Sequence, residues 1–341
     1  MEKEVVENLW NGDRDSQIQA ALELGRLSRK QRHKLEESGV MVPLVSMLHS
    51  QDYEAIEAAL CALLSLSFGS ESGTKEYVLG NKKRNKIRII KSGALPVLVS
   101  LLYCHSQTVI IQLTLAAMLT LSSCKANKVA IASSGAIQLL AEFVNSNCST
   151  QSQLDAIATL HNLTTCKEIM PLIVSSGVMF SLLELIHSTV KSSPLVEKAI
   201  ELLENIVSSS ESALCKAAGA GGAIGILVET IEDGSLLSKE HAVSILLLIC
   251  QSCREKYRGL ILTEGVMPGL LQLSVDGTWR AKSIAQELLL LLRDCSNYGS
   301  RCKQINHELI ERIMEEIEAE GEKLADTTLR LVEEMIAKLN A

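Results

Sequence analysis

Aromatic side chains are scarce in this 341-residue chain: two Trp, five Tyr and three Phe, 3% in all. Its core must therefore be aliphatic, since 47% of the residues are hydrophobic. That composition suits helix-on-helix packing and argues against a β-sandwich, whose strands favour aromatic and β-branched side chains in alternation. Proline is also scarce, with only five residues, which permits long helices. Long apolar runs are missing. The longest strings, such as Ile245–Cys250, have the length of a core helix segment, far below the roughly 18 residues of a membrane span. The start, Met1-Glu2-Lys3-Glu4-Val5, lacks the apolar stretch of a secretory signal. The expectation is a soluble chain of the cytoplasm, the nucleus or both. In that setting the ten cysteines read as reduced thiols packed as small hydrophobes, not as disulfides.

The charge is uneven. The formal net charge is −7, of which residues 306–341 carry −6, ten acids against four bases. The remainder is close to neutral at −1. An acidic balance argues against a general nucleic-acid binder.

What the chain does have is a repeated phrase. Ser38-Gly39-Val40-Met41-Val42-Pro43-Leu44-Val45 returns as Ser92-Gly93-Ala94-Leu95-Pro96-Val97-Leu98-Val99 and as Ser134-Gly135-Ala136-Ile137-Gln138-Leu139-Leu140-Ala141. It returns again at Ser176–Leu183 and, more weakly, at Gly221–Val228 and Glu264–Leu271. The glycines 39, 93, 135, 177, 222 and 265 are spaced by 54, 42, 42, 45 and 43 residues. A period near 42 belongs to stacked-helix solenoids, in which each unit packs only on its neighbours. Each glycine ends one helix and lets the chain turn sharply into the next. The unit from 92 to 134 reads as a short helix Leu95–Tyr103, a turn, a longer helix Thr108–Ser123 and a third, short helix Lys125–Ala132. The expected layout is one short and two longer helices per unit. The long helix recurs at Ser16–Ser28, Glu54–Ser67, Gln151–Thr164, Leu195–Ser209, Lys239–Ser252 and Thr278–Arg293, giving about seven units, the first incomplete and acting as an N-terminal cap. The 54-residue step predicts an exposed insertion near 69–84, rich in glycine and polar residues. The solenoid is expected over 1–305, followed by acidic C-terminal capping helices over 306–341 with apolar stripes such as Leu309, Ile310, Ile313, Met314 and Ile317.

The Ser-Gly-Ala/Val-Leu/Ile-x-x-Leu-Val block followed by a long Ala/Leu helix resembles the armadillo repeat over residues 15–295. The resemblance implies an all-α, right-handed superhelical solenoid whose concave face binds other proteins. A closer likeness is to the armadillo half of plant U-box-type proteins. It is carried by Asn85-Lys86-Ile87-Arg88-Ile89-Ile90-Lys91-Ser92-Gly93-Ala94-Leu95-Pro96-Val97-Leu98-Val99, and by Gly277-Thr278-Trp279-Arg280-Ala281-Lys282 followed by Leu288–Arg293. That likeness implies partner recognition by the array, including receptor-kinase domains, beside a separate U-box that recruits the ubiquitin-conjugating enzyme. Here the repeats begin near residue 15, and no segment has the length or pattern of a U-box. The sequence therefore predicts a non-enzymatic, cofactor-free protein-interaction scaffold. The alternative is an adaptor or regulator in ubiquitin ligation without its own catalytic module, with kinase or ubiquitin-ligase components as partners.

The armadillo resemblance also singles out residues. Proteins of this kind grip an extended peptide with an Asn late in the long helix. The matching positions here are Arg26, Ser65, Thr120, Asn162, Asn205, Leu248 and Leu291. Nuclear-import adaptors place a Trp four residues earlier, where this chain has Leu22, Cys61, Ala116, Ala158, Glu201, Ser244 and Glu287, so an import ladder is not expected. Asn162 and Asn205 are the leading groove candidates, with bonding inside their own repeat as the competing role. Lys82, Lys83, Arg84, Lys86, Arg88 and Lys91 put six bases in ten residues without an acid. They read as an accessory anionic docking surface, a nuclear localisation signal, or a solvated loop and helix face. No interleaved aromatics support base stacking.

The remaining motifs are weak. Cys250-Gln251-Ser252-Cys253 closes a helix and has no second ligand pair for zinc. Gly219–Gly225 follows a helical stretch, where a dinucleotide loop would need a strand. Cys295, Cys302 and His307 have no recognised spacing, and His161 and His241 lie on long helices without an adjacent Ser/Asp/Cys arrangement.

Overall fold

The computed structural model describes residues 2–27, 35, 38–67, 84–104 and 107–293. Among the described residues all regular structure is helical. All six repeat glycines adopt the left-handed conformation, with φ between 76° and 86°. A β-carbon there would meet nothing within 4 Å, so it is the backbone dihedral and not space that demands glycine.

One unit shows the local logic. Gly93 opens the helix Ala94–Tyr103; the long helix Thr108–Ser122 follows; then Lys125–Ser133 leads to Gly135. Their lengths are 10, 15 and 9 residues, so the layout is one long and two shorter helices, a correction to the expected one short and two long. All five prolines, at 43, 96, 171, 194 and 268, fall in the first turn of a helix, where a missing N–H costs little. The other long helices are Arg14–Arg26, Tyr53–Ser67, Thr150–Thr164, Pro194–Val207, Leu236–Ser252 and Trp279–Leu292, within three residues of expectation at each end. A further helix, Glu2–Asn11, was not expected. It buries Val5 and Leu9 against its neighbours while Trp10 stays 48% exposed.

The long helices begin on a recurrent device. Asp13, Ser149, Ser235 and Thr278 each accept a hydrogen bond from a backbone N–H three residues on, at 2.9–3.2 Å. Gly12, Gly234 and Gly277 precede three of these caps. A β-carbon at any of them would stand 2.4 Å from the carbonyl four residues earlier.

The described residues pack as two compact units, those of 1–189 with 194–213, and those of 190–193 with 214–293. In the first, the long helices stack in order from Arg14–Arg26 through Tyr53–Ser67, Thr108–Ser122 and Thr150–Thr164 to Pro194–Val207. In the second, Leu236–Ser252 stacks on Trp279–Leu292. The core is chiefly Leu, Ile, Val and Ala, with Leu24, Leu60, Leu115, Leu160, Leu246 and Leu288 wholly inaccessible. The expected capping helices at 306–341 lie outside the described residues, as does the insertion near 69–84 except Arg84.

Candidate functional site

Neighbouring long helices are tied together by polar side chains along the face they share. Arg14 donates to Asp15 at 2.7 Å, to Glu54 at 2.8 Å and, closely, to Asp52, joining the first two long helices. The Asp52 contact, followed by Glu54 and Asp15, holds the Arg14 guanidinium above its usual range, and Arg14 in turn pushes the Asp52 carboxyl down. Gln112 Nε2 donates to Ser149 Oγ at 3.1 Å, and His161 stands 3.8 Å from Glu201. In the second unit Glu240 accepts from Thr278 and from Arg280 (2.9 Å), and Gln251 donates to Glu287 at 2.7 Å. Burial alone would raise the Glu240 carboxyl, but the Thr278 and Arg280 bonds outweigh it and hold the group below its usual value.

The predicted groove residues divide within this setting. Asn162 is half-buried and turned to the preceding long helix, with Nδ2 donating to Ser122 Oγ at 3.0 Å and to the Leu119 carbonyl at 3.5 Å. Thr120 is buried and donates to Ala116 O at 2.8 Å; half-buried Ser65 donates to Cys61 O at 2.9 Å. Both hydroxyls thus bond into their own helix. Arg26 and Asn205 are exposed, and Leu248 and Leu291 half-buried.

Between these residues runs a strip without charge. On Thr108–Ser122 its accessible positions include Val109, Gln112, Leu113 and Ala116; on Thr150–Thr164 they include Gln151, Leu154 and Ala158. Acids flank it: Glu54 and Glu57 on one side, and Glu197 and Glu201, with Lys198 bonded to Glu201 at 2.8 Å, on the other. Asp155 is the ionisable exception on the middle helices besides His161. Burial pushes its carboxyl up, and a bond from Gln151 at 2.8 Å only partly offsets this.

A second set of roles escaped the sequence reading. Asn85 donates to Leu66 O at 2.9 Å, and Asn127 to Leu121 O and Lys86 O, both at 3.1 Å. Each covers an orphan carbonyl at the end of a long helix. Lys128 is buried; its Nζ donates to Asn162 O at 2.5 Å and closely to Thr165 Oγ1. Arg258 Nε reaches Leu292 O at 2.7 Å, and Arg254 reaches Leu291 O and Arg293 O, both at 2.5 Å. Lys86 Nζ donates to Ser123 Oγ at 2.7 Å. Each of these cations sits at the C-terminal end of the next unit's long helix, where the helix dipole favours positive charge. The signal was present as a register: Lys86, Lys128 and Arg258 each stand seven residues before a repeat glycine.

Of the basic cluster, Arg84, Lys86, Arg88 and Lys91 lie on a helix at 84–91. Arg84 and Lys91 are exposed, and Lys86 and Arg88 half-buried. Lys82 and Lys83 lie outside the described residues. Cys250 is buried, which raises its thiol, and Cys253 is exposed; Cys295, Cys302 and His307 lie outside the described residues. Among the described residues no group of three His, Cys, Asp or Glu side chains is placed to hold a metal, and no single helix is long and apolar enough to cross a membrane.

Similarity to known proteins agrees with the architecture. An engineered protein superposes with a TM-score of 0.59 at 21% identity, over 74% of this chain and 98% of its own. A designed armadillo repeat protein superposes with a TM-score of 0.54 at 18% identity, over 85% of this chain and 98% of its own. The fold is thus an all-α armadillo-repeat solenoid. In sequence, a stretch of 101 residues is 35% identical to U-box domain-containing protein 45 of Arabidopsis thaliana. It covers 29% of this chain and 12% of that protein. No protein-family model matches the chain.

Proposed function

We propose that the chain is a non-catalytic scaffold that binds a partner protein segment on the face lined by its long helices. The observation carrying this reading is the uncharged strip on Thr108–Ser122 and Thr150–Thr164, bordered by Glu54 and Glu57 and by Glu197 and Glu201. A partly exposed strip of Val, Leu, Ala and Gln on paired helices suits an extended segment with apolar side chains at its centre. Exposed Asn205 is the groove amide available to a partner backbone, whereas the Asn162 amide is already bonded to Ser122. The test is partner affinity in the intact chain carrying Ala158→Arg or Asn205→Ala. Ala158→Arg should weaken binding at least about tenfold with little change in melting temperature. Full affinity in both variants would sink the reading.

The similarity to a plant U-box protein favours a second reading, an adaptor or regulator in ubiquitin ligation. Proximity labelling in the native cells separates the two. Ubiquitin-conjugating or ligase components that label wild type and are lost in Ala158→Arg support the adaptor. A set of kinases or receptor tails without ubiquitin machinery supports the plain scaffold.

A further inference from the structure

From Tyr77 to Ala141 the chain holds no Asp or Glu, yet it carries eight Lys and Arg residues. The structure sorts those it describes into two roles. Lys86 and Lys128 are drawn to the C-terminal ends of long helices. Arg84 and Lys91 remain exposed on helix 84–91, with Arg88 half-buried between them. The adjacent helix Lys125–Ser133 adds exposed Lys125. The two helices touch: Asn127 donates to Lys86 O at 3.1 Å. The contact brings the start of Lys125–Ser133, and with it Lys125, beside the helix that carries the sequence cluster, which linear spacing does not show. Among the described residues none of Arg84, Lys91 and Lys125 is in an ion pair.

We infer that Arg84, Lys91 and Lys125 form a second docking surface, separate from the long-helix face, that takes an acidic segment of a partner protein. Arg84, Arg88 and Lys91 stand at i, i+4 and i+7, on one helix face. A rise of about 1.5 Å per residue sets the outer two about 10 Å apart, the span of three extended residues. Acidic side chains at every third position of an extended segment match that row. Lys125 and its neighbours add apolar surface, since Val129, one turn on, is 48% exposed. Such a mixture suits a segment carrying both acidic and apolar side chains. A nucleic-acid surface needs a long basic stripe on a basic protein, and this chain carries −7. The docking bases lie on a hydrogen-bonded helix, so a localisation receptor could not grip them as an extended strand.

The experiment measures fluorescence anisotropy of a labelled peptide with Glu at every third position and Ser and Leu between. Its competitors are a duplex oligonucleotide and vesicles of phosphatidylcholine with phosphatidylserine. The intact chain is compared with Arg84→Glu/Lys91→Glu/Lys125→Glu and with the equal-charge control Lys3→Glu/Lys216→Glu/Lys256→Glu. Thermal melting checks folding, and Arg84→Gln/Lys91→Gln/Lys125→Gln replaces the reversal variant if it fails to fold. Expected is peptide binding that weakens at least about tenfold in the patch variant and less than about twofold in the control, and that falls with salt as screened contacts do. Three results would overturn the inference: no peptide binding by wild type, equal binding by the patch variant, or tighter binding of the oligonucleotide or vesicles. The groove variant Ala158→Arg should bind this peptide as wild type does, so the two surfaces stand or fall separately.

Discussion

A carboxyl group held inside an aliphatic repeat, as Asp155 is, works against folding at neutral pH. Burial raises its affinity for a proton in the folded state. Its contribution to stability is therefore present below the unfolded-state value and is lost as pH rises through the raised folded value. Asp155→Asn keeps the shape without the charge. Near pH 7 it should raise the unfolding free energy on the order of 1 kcal/mol, and the gain should vanish in acid; a flat difference across denaturation curves at several pH values would contradict this. Lys128 behaves differently. Burial pushes its ammonium down, yet its charge is directed at Asn162 O and Thr165 Oγ1. Lys128→Met should cost about 1–3 kcal/mol, because it leaves the end of Thr150–Thr164 without its donor.

At the scale of the element, the cap and the glycine before it act together. Ser235→Ala should destabilise by about 1 kcal/mol. Gly234→Ala should cost more, because its new methyl would press on Thr230 O at 2.4 Å. Equal melting temperatures for the two variants would contradict that order. This scale also shows what could be read beforehand. The repeated glycine phrase located all six left-handed turns, and alternating long apolar stretches located the long helices. Both are properties of residues close in sequence. Lys86 read as a surface charge, and Asn162 as a groove residue. Their partners, Ser123 at 37 residues' separation and Ser122 at 40, belong to the neighbouring unit. Helix-end capping across a repeat boundary depends on how units stack, which local pattern does not reveal. The helix Glu2–Asn11 escaped notice because only Val5 and Leu9 of it are buried hydrophobic residues, too few to show a period.

For the whole molecule, the two compact units balance their titratable groups differently. Glu240, in the second, is held below its usual value by Thr278 and Arg280 against the effect of burial. Its contribution is present at neutral pH and is lost as pH falls through that lowered value. In the first, Asp52 follows the sense of Glu240, but Asp155 gains as pH falls and partly offsets that loss. Acidification should therefore weaken the second unit relative to the first. Calorimetry is expected to show a transition that broadens or splits on lowering the pH, with a calorimetric enthalpy above the van't Hoff value. Glu240→Gln should remove about 1 kcal/mol from the later residues alone at neutral pH, which hydrogen exchange can assign. Agreement of the two enthalpies at every pH would mean that the array melts as one body.

The left-handed glycines also make the chain divisible. Gly93 and Gly135 have φ of 86° and 83°, and each is followed by alanine. Excising residues 94–135 would join Gly93 to Ala136 with the same backbone turn at the seam. The shortened chain would present Lys86 to the end of Thr150–Thr164, a helix terminus already accustomed to a lysine. Recombination between such seams changes the length of a binding face without inventing a new joint, so the repeat boundary is also a place where this protein can be lengthened or cut.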